Sequence, residues 1–348
     1  MMAPSIRAII VDDSAFYRGV LKRMLSSDPE IEVVGTAVDP HDAREQIKRF
    51  NPDVITLDVE MPGMDGLSFL EKLMRLRPMP VVMVSTLTEQ GAEVTLRALE
   101  LGAVDFMPKP SDLSDESYRE QVRELAGKVR AAAHARIRPL NGARAPRRAD
   151  NPLEGYDPSR HVVAIGASTG GVEAISEVLS GFPANCPPTV ITQHMPAAFT
   201  PNFARRLDKI VAPRVKEAED GDRLEVGQVL IAPGGERHMT VTQGARGPVV
   251  RLVEGPTVSG HRPSVDVMMD SVAALRGPSL IGVMLTGMGR DGAKGLLKLR
   301  QSGGHTIGQD ENSCVVYGMP RAAFENGAIE RQVTLTGISR EVLGLCRA

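Results

Sequence analysis

The sequence predicts two doubly wound, parallel-sheet α/β domains in tandem. Three observations lead to this. Short β-branched strands alternate with helical stretches through the first third. The same alternation resumes at His161, and between the two lies an arginine- and proline-rich stretch with little to bury. Apolar strands each followed by a helix indicate a parallel sheet covered on both faces. A length of 348 residues suits two domains. Aromatic residues make up only 3% and there is no Trp, so the cores must be filled by Val, Ile, Leu, Ala and the 16 Met.

In the first domain, strands are expected at residues 6–11, 31–36, 54–57, 81–84 and 104–107. Helices are expected at 15–26, 40–50, 67–76 and 90–101, with a charged last helix at 114–135. Arg136, Arg138, Arg144, Arg147 and Arg148 then sit among Pro139, Gly142, Pro146 and Pro152, the composition of a solvated linker. The second domain begins with strand 162–165, helix 172–179, strand 189–192 and helix 198–207. A β-rich part follows at 229–232, 238–242 and 248–253, then helix 264–275, strand 280–285 and helix 293–301. The expected organisation is domain 1–130, linker 131–158 and domain 159–348, the second carrying a small antiparallel insertion.

A net charge of −2 supplies no basic field for nucleic acid. The three cysteines, Cys186, Cys314 and Cys346, are widely spaced and read as reduced thiols of a cytoplasmic protein. The short apolar run before Asp12 and Asp13 is neither a signal peptide nor an anchor, and no apolar run approaches the ~20 residues of a membrane span.

In the first domain, Asp12 and Asp13 follow strand one, Asp58 follows strand three, Ser85 and Thr86 follow strand four, and Lys109-Pro110 follows strand five. Ligands bind outside the carboxyl ends of such strands, so these residues share one crevice. Three carboxylates there call for a cation, and Mg²⁺ suits hard oxygen ligands while keeping waters. Asp58 can then act as a nucleophile toward a phosphoryl group, with Lys109 neutralising transferred charge. Taken singly, Asp13-Ser14 is also a helix cap and Lys-Pro an ordinary turn. Together, at successive strand ends, they are hard to assign to chance.

Residues 5–130 resemble response-regulator receiver domains, of flavodoxin-like fold, through Asp12-Asp13, the run Asp58-Val-Glu-Met-Pro-Gly-Met-Asp65-Gly66, Ser85 and Lys109-Pro110. The resemblance implies Asp58 as phosphoacceptor and Asp13 and Asp58 as the main metal ligands. It also implies Ser85 as switch hydroxyl, with Thr86 beside it, and Phe106 as switch aromatic.

In the second domain, Gly166-Ala-Ser168-Thr-Gly170-Gly171 follows a strand and opens a helix. It fits G-x-S-x-G, in which small neighbours allow a sharp turn that exposes the serine at a helix N-terminus. As a dinucleotide fingerprint it fails, because Ser168 occupies the middle glycine position and Gln193 stands near where an acidic residue belongs. His194 ends the next strand and so falls at the same sheet edge. His238, in the β-rich part, and His261, in a loop, read as structural. Asp291, after strand 280–285, is the carboxylate placed to orient His194; its bland role is to cap the next helix. The order Ser…His…Asp differs from that of α/β-hydrolases.

Residues 160–347 are similar to the catalytic domain of chemotaxis protein-glutamate methylesterases, a Rossmann-like α/β fold. The matching stretches are Gly166–Gly171, Thr192-Gln-His-Met-Pro196, Lys216-Glu-Ala-Glu-Asp-Gly221, Ile231-Ala-Pro-Gly234, His261-Arg-Pro-Ser-Val-Asp266, Leu285-Thr-Gly-Met-Gly289 with Asp291-Gly292, and Ser313-Cys-Val-Val316. The resemblance implies hydrolysis of methyl esters on chemoreceptor glutamates, and deamidation of receptor glutamines, with Ser168 as nucleophile, His194 as base, Asp291 as orienter and the Met288 N–H as oxyanion donor. It implies a chemotaxis histidine kinase as phosphodonor, methyl-accepting chemoreceptors as substrate, and no cofactor for the hydrolysis. Until Asp58 is phosphorylated, the receiver would cover the active site. Two rivals are a receiver-controlled adaptor without catalysis, which an absent Ser168, His194 or Asp291 would have favoured, and a transcriptional regulator, which would need a basic helix-turn-helix output.

Overall fold

The computed structural model describes residues 5–61, 66–86, 88–110, 115–137 and 156–347. Residues 62–65 and the linker arginines Arg138, Arg144, Arg147 and Arg148 lie outside them. The chain divides into two compact units, Met1–Ala143 and Arg144–Ala348.

The first unit runs β1 Ile6–Val11, α1 Ala15–Ser26, β2 Ile31–Ala37, α2 Pro40–Phe50, β3 Val54–Asp58, α3 Gly66–Leu76, β4 Val81–Ser85, α4 Glu89–Glu100, β5 Asp105–Pro108 and α5 Asp115–Ala133. Its five strands are parallel in the order β2-β1-β3-β4-β5. Strands β3 and β4 are buried throughout, as a sheet covered on both faces requires. Helix ends follow local chemistry. Asp39 accepts hydrogen bonds from the His41 and Asp42 N–H groups, Pro40 occupies the first turn, and Asn51 ends α2 in a left-handed conformation at φ 43°.

The second unit begins with β6 His161–Ala167, α6 Gly171–Ser180, β7 Thr189–Gln193, α7 Thr200–Ile210, β8 Arg214–Glu217, β9 Gln228–Ile231, β10 Arg237–Gly244 and β11 Gly247–Glu254. It continues with α8 Val265–Ala273, β12 Ser279–Met284, α9 Ala293–Gln301, β13 His305–Gln309, α10 Met319–Glu325, β14 Arg331–Val333 and α11 Leu335–Leu345. Seven strands form one parallel sheet, β14-β13-β12-β6-β7-β9-β8. Strands β10 and β11 pair apart from it as the antiparallel insertion.

Four strands differ from expectation, and helices α10 and α11 were not foreseen. The strand at 229–232 belongs to the main sheet rather than to the insertion, and β8, β13 and β14 were not foreseen. These are short segments toward the sheet's edges; β14 has only three residues and exposes Arg331 and Gln332. Met239, Met268, Met269, Met284 and Met319 are fully buried in this unit's core, as filler should be. All three cysteines are buried thiols, and burial pushes Cys186 and Cys346 up to about 12. Among the described residues no helix is long and apolar enough to cross a membrane.

Removing the α2 cap with Asp39→Ala should cost the first unit about 1 kcal/mol and leave the second unit unchanged. Urea unfolding followed by hydrogen exchange, which resolves the two units, checks this.

Candidate functional sites

Parallel register brings Ser168 and His194 together. Ala167 pairs with Gln193 at the ends of β6 and β7, so Ser168 and His194 leave adjacent strands side by side. The His194 N–H donates to Ala167 O at 3.2 Å. On the other side of β6, the Ser168 N–H donates to Thr286 O, just past β12, at 3.0 Å. The chain reverses direction through the sheet between β6 and β12, the switch point where α/β sheets hold their ligands.

The serine turn is shaped by what glycine permits. The Gly171 N–H closes it onto Ser168 O at 2.7 Å. Gly170 sits at φ 76°, and a Cβ there would lie 2.7 Å from the Val315 side chain. A Cβ on Gly171 would lie 1.9 Å from Gln193 Oε1. Gln193, which sequence reasoning passed over, donates from Nε2 to Ser168 O at 2.9 Å and to His194 O at 3.2 Å, tying the two turns together.

Asp291 joins this pair from below. Its Oδ2 lies 2.8 Å from His194 Nε2, and the carboxylate is 1% exposed. It does not cap α9, whose N-cap is Gly292 with no side-chain bond. Instead Asp291 accepts the Val265 N–H at 2.7 Å, the Asp266 N–H at 3.2 Å and the Ser264 hydroxyl at 2.8 Å, all at the start of α8. The exchange is reciprocal: Asp266, in the first turn of α8, accepts the Gly295 N–H in the first turn of α9 at 2.7 Å. Burial raises the Asp291 pKa, but the His194 contact, the Val265 N–H and the Ser264 hydroxyl outweigh it and hold the group below the usual carboxylate range. Asp266, pushed up by burial and by the charge of Asp291, stays above that range. Ser264 was not foreseen as part of the site; its place in the matching stretch ahead of α8 was the available signal.

Gly287 carries the next loop against the serine, since a Cβ there would lie 2.9 Å from Ser168 Cβ and 2.3 Å from Met319 Sδ. The Gly287 N–H is given to Val316 O at 3.1 Å, and Gly287 O accepts from the Gly318 and Met319 N–H groups. The following N–H along this loop belongs to Met288.

His238 is structural, as expected: the Ser264 N–H donates to its Nδ1 at 3.1 Å, so its Nε2–H donates to Pro256 O at 2.9 Å. His261 departs from expectation. Its ring stacks on His194, centroids 3.7 Å apart and planes 12° from parallel.

In the first unit the expected cluster also forms. Asp12, Asp13 and Asp58 each offer an oxygen within 4.8 Å of the others. Lys109 Nζ lies 2.8 Å from Asp58 Oδ2 and 3.0 Å from Asp12 Oδ2. Burial lowers the Lys109 pKa, but bonds and charge from Asp58 and Asp12 outweigh it and hold the ammonium above its ordinary value. Burial also pushes the Asp58 carboxyl up, more than Lys109 pulls it down. One ammonium against three carboxylates leaves an excess of hard anionic oxygen, the donor set that Mg²⁺ fits.

Ser85 is buried, and its O accepts the Lys109 N–H at 2.7 Å. Thr86 Oγ1 instead donates to Glu60 Oε1 at 3.3 Å. Phe106 is buried on β5, and Lys128 Nζ lies 5.3 Å from its ring centre and 2.6 Å from its O. Two neighbours were not foreseen. Arg18 Nη1 donates to both Asp12 O and Asp13 O at 2.8 Å, and the Tyr17 ring centre lies 4.5 Å from Lys109 Nζ.

The chain matches the family model for the CheB methylesterase over residues 163–342 and that for the response regulator receiver domain over residues 8–117. It is 57% identical to protein-glutamate methylesterase/protein-glutamine glutaminase 1 of Caulobacter vibrioides, over 99% of this chain and 98% of that protein. It is 56% identical to the Rhizobium etli protein-glutamate methylesterase/protein-glutamine glutaminase, over 100% of this chain and 98% of that one. The crystal structure of the Thermotoga maritima CheB methylesterase catalytic domain aligns at 37% identity and TM-score 0.51, over 53% of this chain and 97% of that one. On a family model spanning more than half the chain and relatives aligned end to end, the chain belongs to the CheB methylesterase family, the protein-glutamate methylesterase/protein-glutamine glutaminases with a receiver domain.

Proposed function

We propose that this chain hydrolyses methyl esters on chemoreceptor glutamates, and the side-chain amides of receptor glutamines, with Ser168, His194 and Asp291, under the control of phosphorylation at Asp58. The observation that carries this reading is the convergence of the three residues: neighbouring strand ends for Ser168 and His194, and a buried carboxylate 2.8 Å from the His194 ring. An adaptor has no use for a histidine held on that carboxylate with its other ring nitrogen left without a partner. A seven-stranded parallel sheet is likewise no helix-turn-helix output.

The tautomer follows from Asp291. An ionised carboxylate only accepts, so His194 Nε2 carries the proton and Nδ1 keeps its lone pair. Nδ1 is buried without a hydrogen-bond partner, which leaves it for the reaction. This inverts the usual assignment of the two ring nitrogens in a serine triad. As Ser168 Oγ attacks the ester carbonyl, its proton passes to Nδ1, and Asp291 stabilises the imidazolium. The Met288 N–H faces the developing oxyanion. Methoxide leaves with the Nδ1 proton as methanol, or ammonia leaves from an amide. Water then gives a proton to Nδ1 and attacks the acyl-serine, releasing glutamate and restoring Ser168.

In the receiver, Asp58 takes the phosphoryl group from a chemotaxis histidine kinase. Asp12, Asp13 and Asp58 would hold Mg²⁺, which when bound offsets the charge of the transferred group. Lys109 supplies a further positive charge at Asp58 Oδ2. Ser85 or Thr86 then turns toward the phosphoryl oxygens and Phe106 repositions. In the unphosphorylated chain the receiver holds hydrolysis low by denying the receptor access to Ser168, an effect that joining the two domains in one chain strengthens.

Ser168→Ala should abolish methanol release while Asp58 still accepts phosphate, a loss of several powers of ten. Labelled-methyl release from receptor membranes checks this, and activity within about tenfold of wild type would remove Ser168 from the nucleophile's role. Asp291→Asn should stay folded and slow the reaction by about a thousandfold or more through loss of the tautomer; an unfolded variant would show that holding α8 is its larger task.

Ser264→Ala removes a donor to the Asp291 carboxylate and should cost about 1–3 kcal/mol at pH 7. Because the folded pKa of Asp291 is depressed, that contribution is present above the unfolded carboxylate range and is lost as pH falls through the folded value. The gap between the denaturant midpoints of variant and wild type should therefore narrow toward acid, leaving the share due to the Ser264 cap on the Val267 N–H at 3.3 Å; a gap that stays constant with pH would contradict the charge-assisted bond.

Phosphorylation needs only about 1.4–2.8 kcal/mol of differential interaction for a ten- to hundredfold switch. A fragment of residues 151–348 should be faster than the unphosphorylated chain and indifferent to phosphodonor, and Asp58→Asn in the full chain should remain at the basal rate. A folded fragment that is no faster would replace occlusion with positive activation.

A further inference from the structure

His194 is held at one edge by Asp291, but an imidazole on a single hydrogen bond is not fully oriented. The terminal torsion of histidine is broad and roughly two-fold. A half-turn of the ring exchanges Nδ1 and Nε2, and the proton would then be placed on the wrong atom for the serine. Something else must fix the plane of the ring.

The segment ahead of α8 is built to do this. Val258 and His261 bond to each other through both backbone pairs, at 3.1 Å and 3.0 Å, closing a tight turn. Its central residues, Ser259 at φ 54° and Gly260 at φ 82°, are both left-handed, as a type I′ turn requires. His261 is therefore delivered at a defined angle. The next residue anchors it: Arg262 donates from Nε to Gly235 O at 3.1 Å and from Nη1 to Gly255 O at 2.8 Å. The neighbouring Gly234 packs on the backbone just after His194, where a Cβ would lie 2.3 Å from Met195 O. The same short segment thus ties itself to the His194 loop through Arg262, supplies Ser264 to Asp291, and lays the His261 ring flat on the His194 ring.

We propose that His261 is a positioning residue for the hydrolysis: its ring, stacked at 3.7 Å, holds the His194 imidazole in the plane that keeps Nε2 on Asp291 and leaves Nδ1, which has no hydrogen-bond partner, to take the Ser168 proton. It acts by restricting rotation of the base, since a ring turning about its own axis must first push its edge through the stacked face. The inference rests on the reading of His194 as the base, and its test separates the two.

The test compares His261→Leu, which fills space without a flat face, with His261→Phe, which restores the face without the nitrogens. His194→Ala serves as reference. All are made in the full chain and assayed with phosphodonor on methyl-labelled receptor membranes, with thermal unfolding recorded for each. His261→Leu should lower kcat about 10- to 100-fold, the scale of a small misplacement of a catalytic group, with KM within about twofold. His261→Phe should lie within about fivefold of wild type, and both should unfold near the wild-type temperature. The proposal is overturned if His261→Leu keeps wild-type kcat, if Phe and Leu lose equally, or if the loss appears in KM. His194→Ala decides the underlying reading on its own: if that variant stays active, His194 is not the base, whatever the two His261 variants show.

Discussion

A carboxylate at 1% exposure is a costly object unless its oxygens are filled. Asp291 is filled by the helix that follows Ser264 and by His194, and this one demand organises much of the second unit. It draws the start of α8 to the end of β12. In return Asp266 reaches from α8 to the start of α9, so each helix begins on a carboxylate from the other's segment. Negative charge at a helix start is favourable in its own right. The exchange also explains the small residues around it. A Cβ on Gly292 or Gly166 would drive into Val265, at 2.4 Å and 2.2 Å, and one on Gly295 would lie 2.6 Å from Asp266 O. The glycines flanking the serine turn and opening α9 are there so that two helix starts can close around one charge.

Both units put their chemistry at the same kind of place. In the first sheet the chain changes direction between β1 and β3, where Asp12 and Asp58 emerge; in the second it does so between β6 and β12, where Ser168 and Asp291 emerge. Strand ends diverge at such a point and leave a crevice lined by loops from both directions. The location is common to the two sites, and the chemistry is not. One crevice collects acidic residues around a lysine, and the other a serine, a histidine and a sheltered carboxylate.

That difference marks what was legible in the sequence. Strand-end residues could be placed from periodicity alone, because a parallel βα repeat sends every strand end to one edge; hence Asp58, Lys109, Ser168 and His194 fell where expected. The helix partner of Asp291 was not legible. Local propensity favours a cap for the helix immediately downstream, and only packing shows the carboxylate turned to α8 instead. The stack of His261 on His194 was not legible either, since its loop has no periodicity and its placement comes from a tight turn and an arginine anchor spanning distant glycines. Gln193 was visible but weighed only as a failed dinucleotide signal. Short edge strands such as β14 carry too few apolar residues to announce themselves.

The electrostatic character of the two sites also constrains how one can govern the other. Around Asp58 a single ammonium faces three carboxylates, so the charge is unbalanced and sensitive to any added cation. Around Asp291 the charge is already satisfied by hydrogen bonds, one of them to His194, and an interior so arranged has little left to rearrange. Pulling one partner away to lower activity would leave a buried charge unpaired at a cost of several kcal/mol, more than a modest regulatory contact supplies. On the triad proposed above, control through access to Ser168 therefore costs far less than control through the geometry of its three residues.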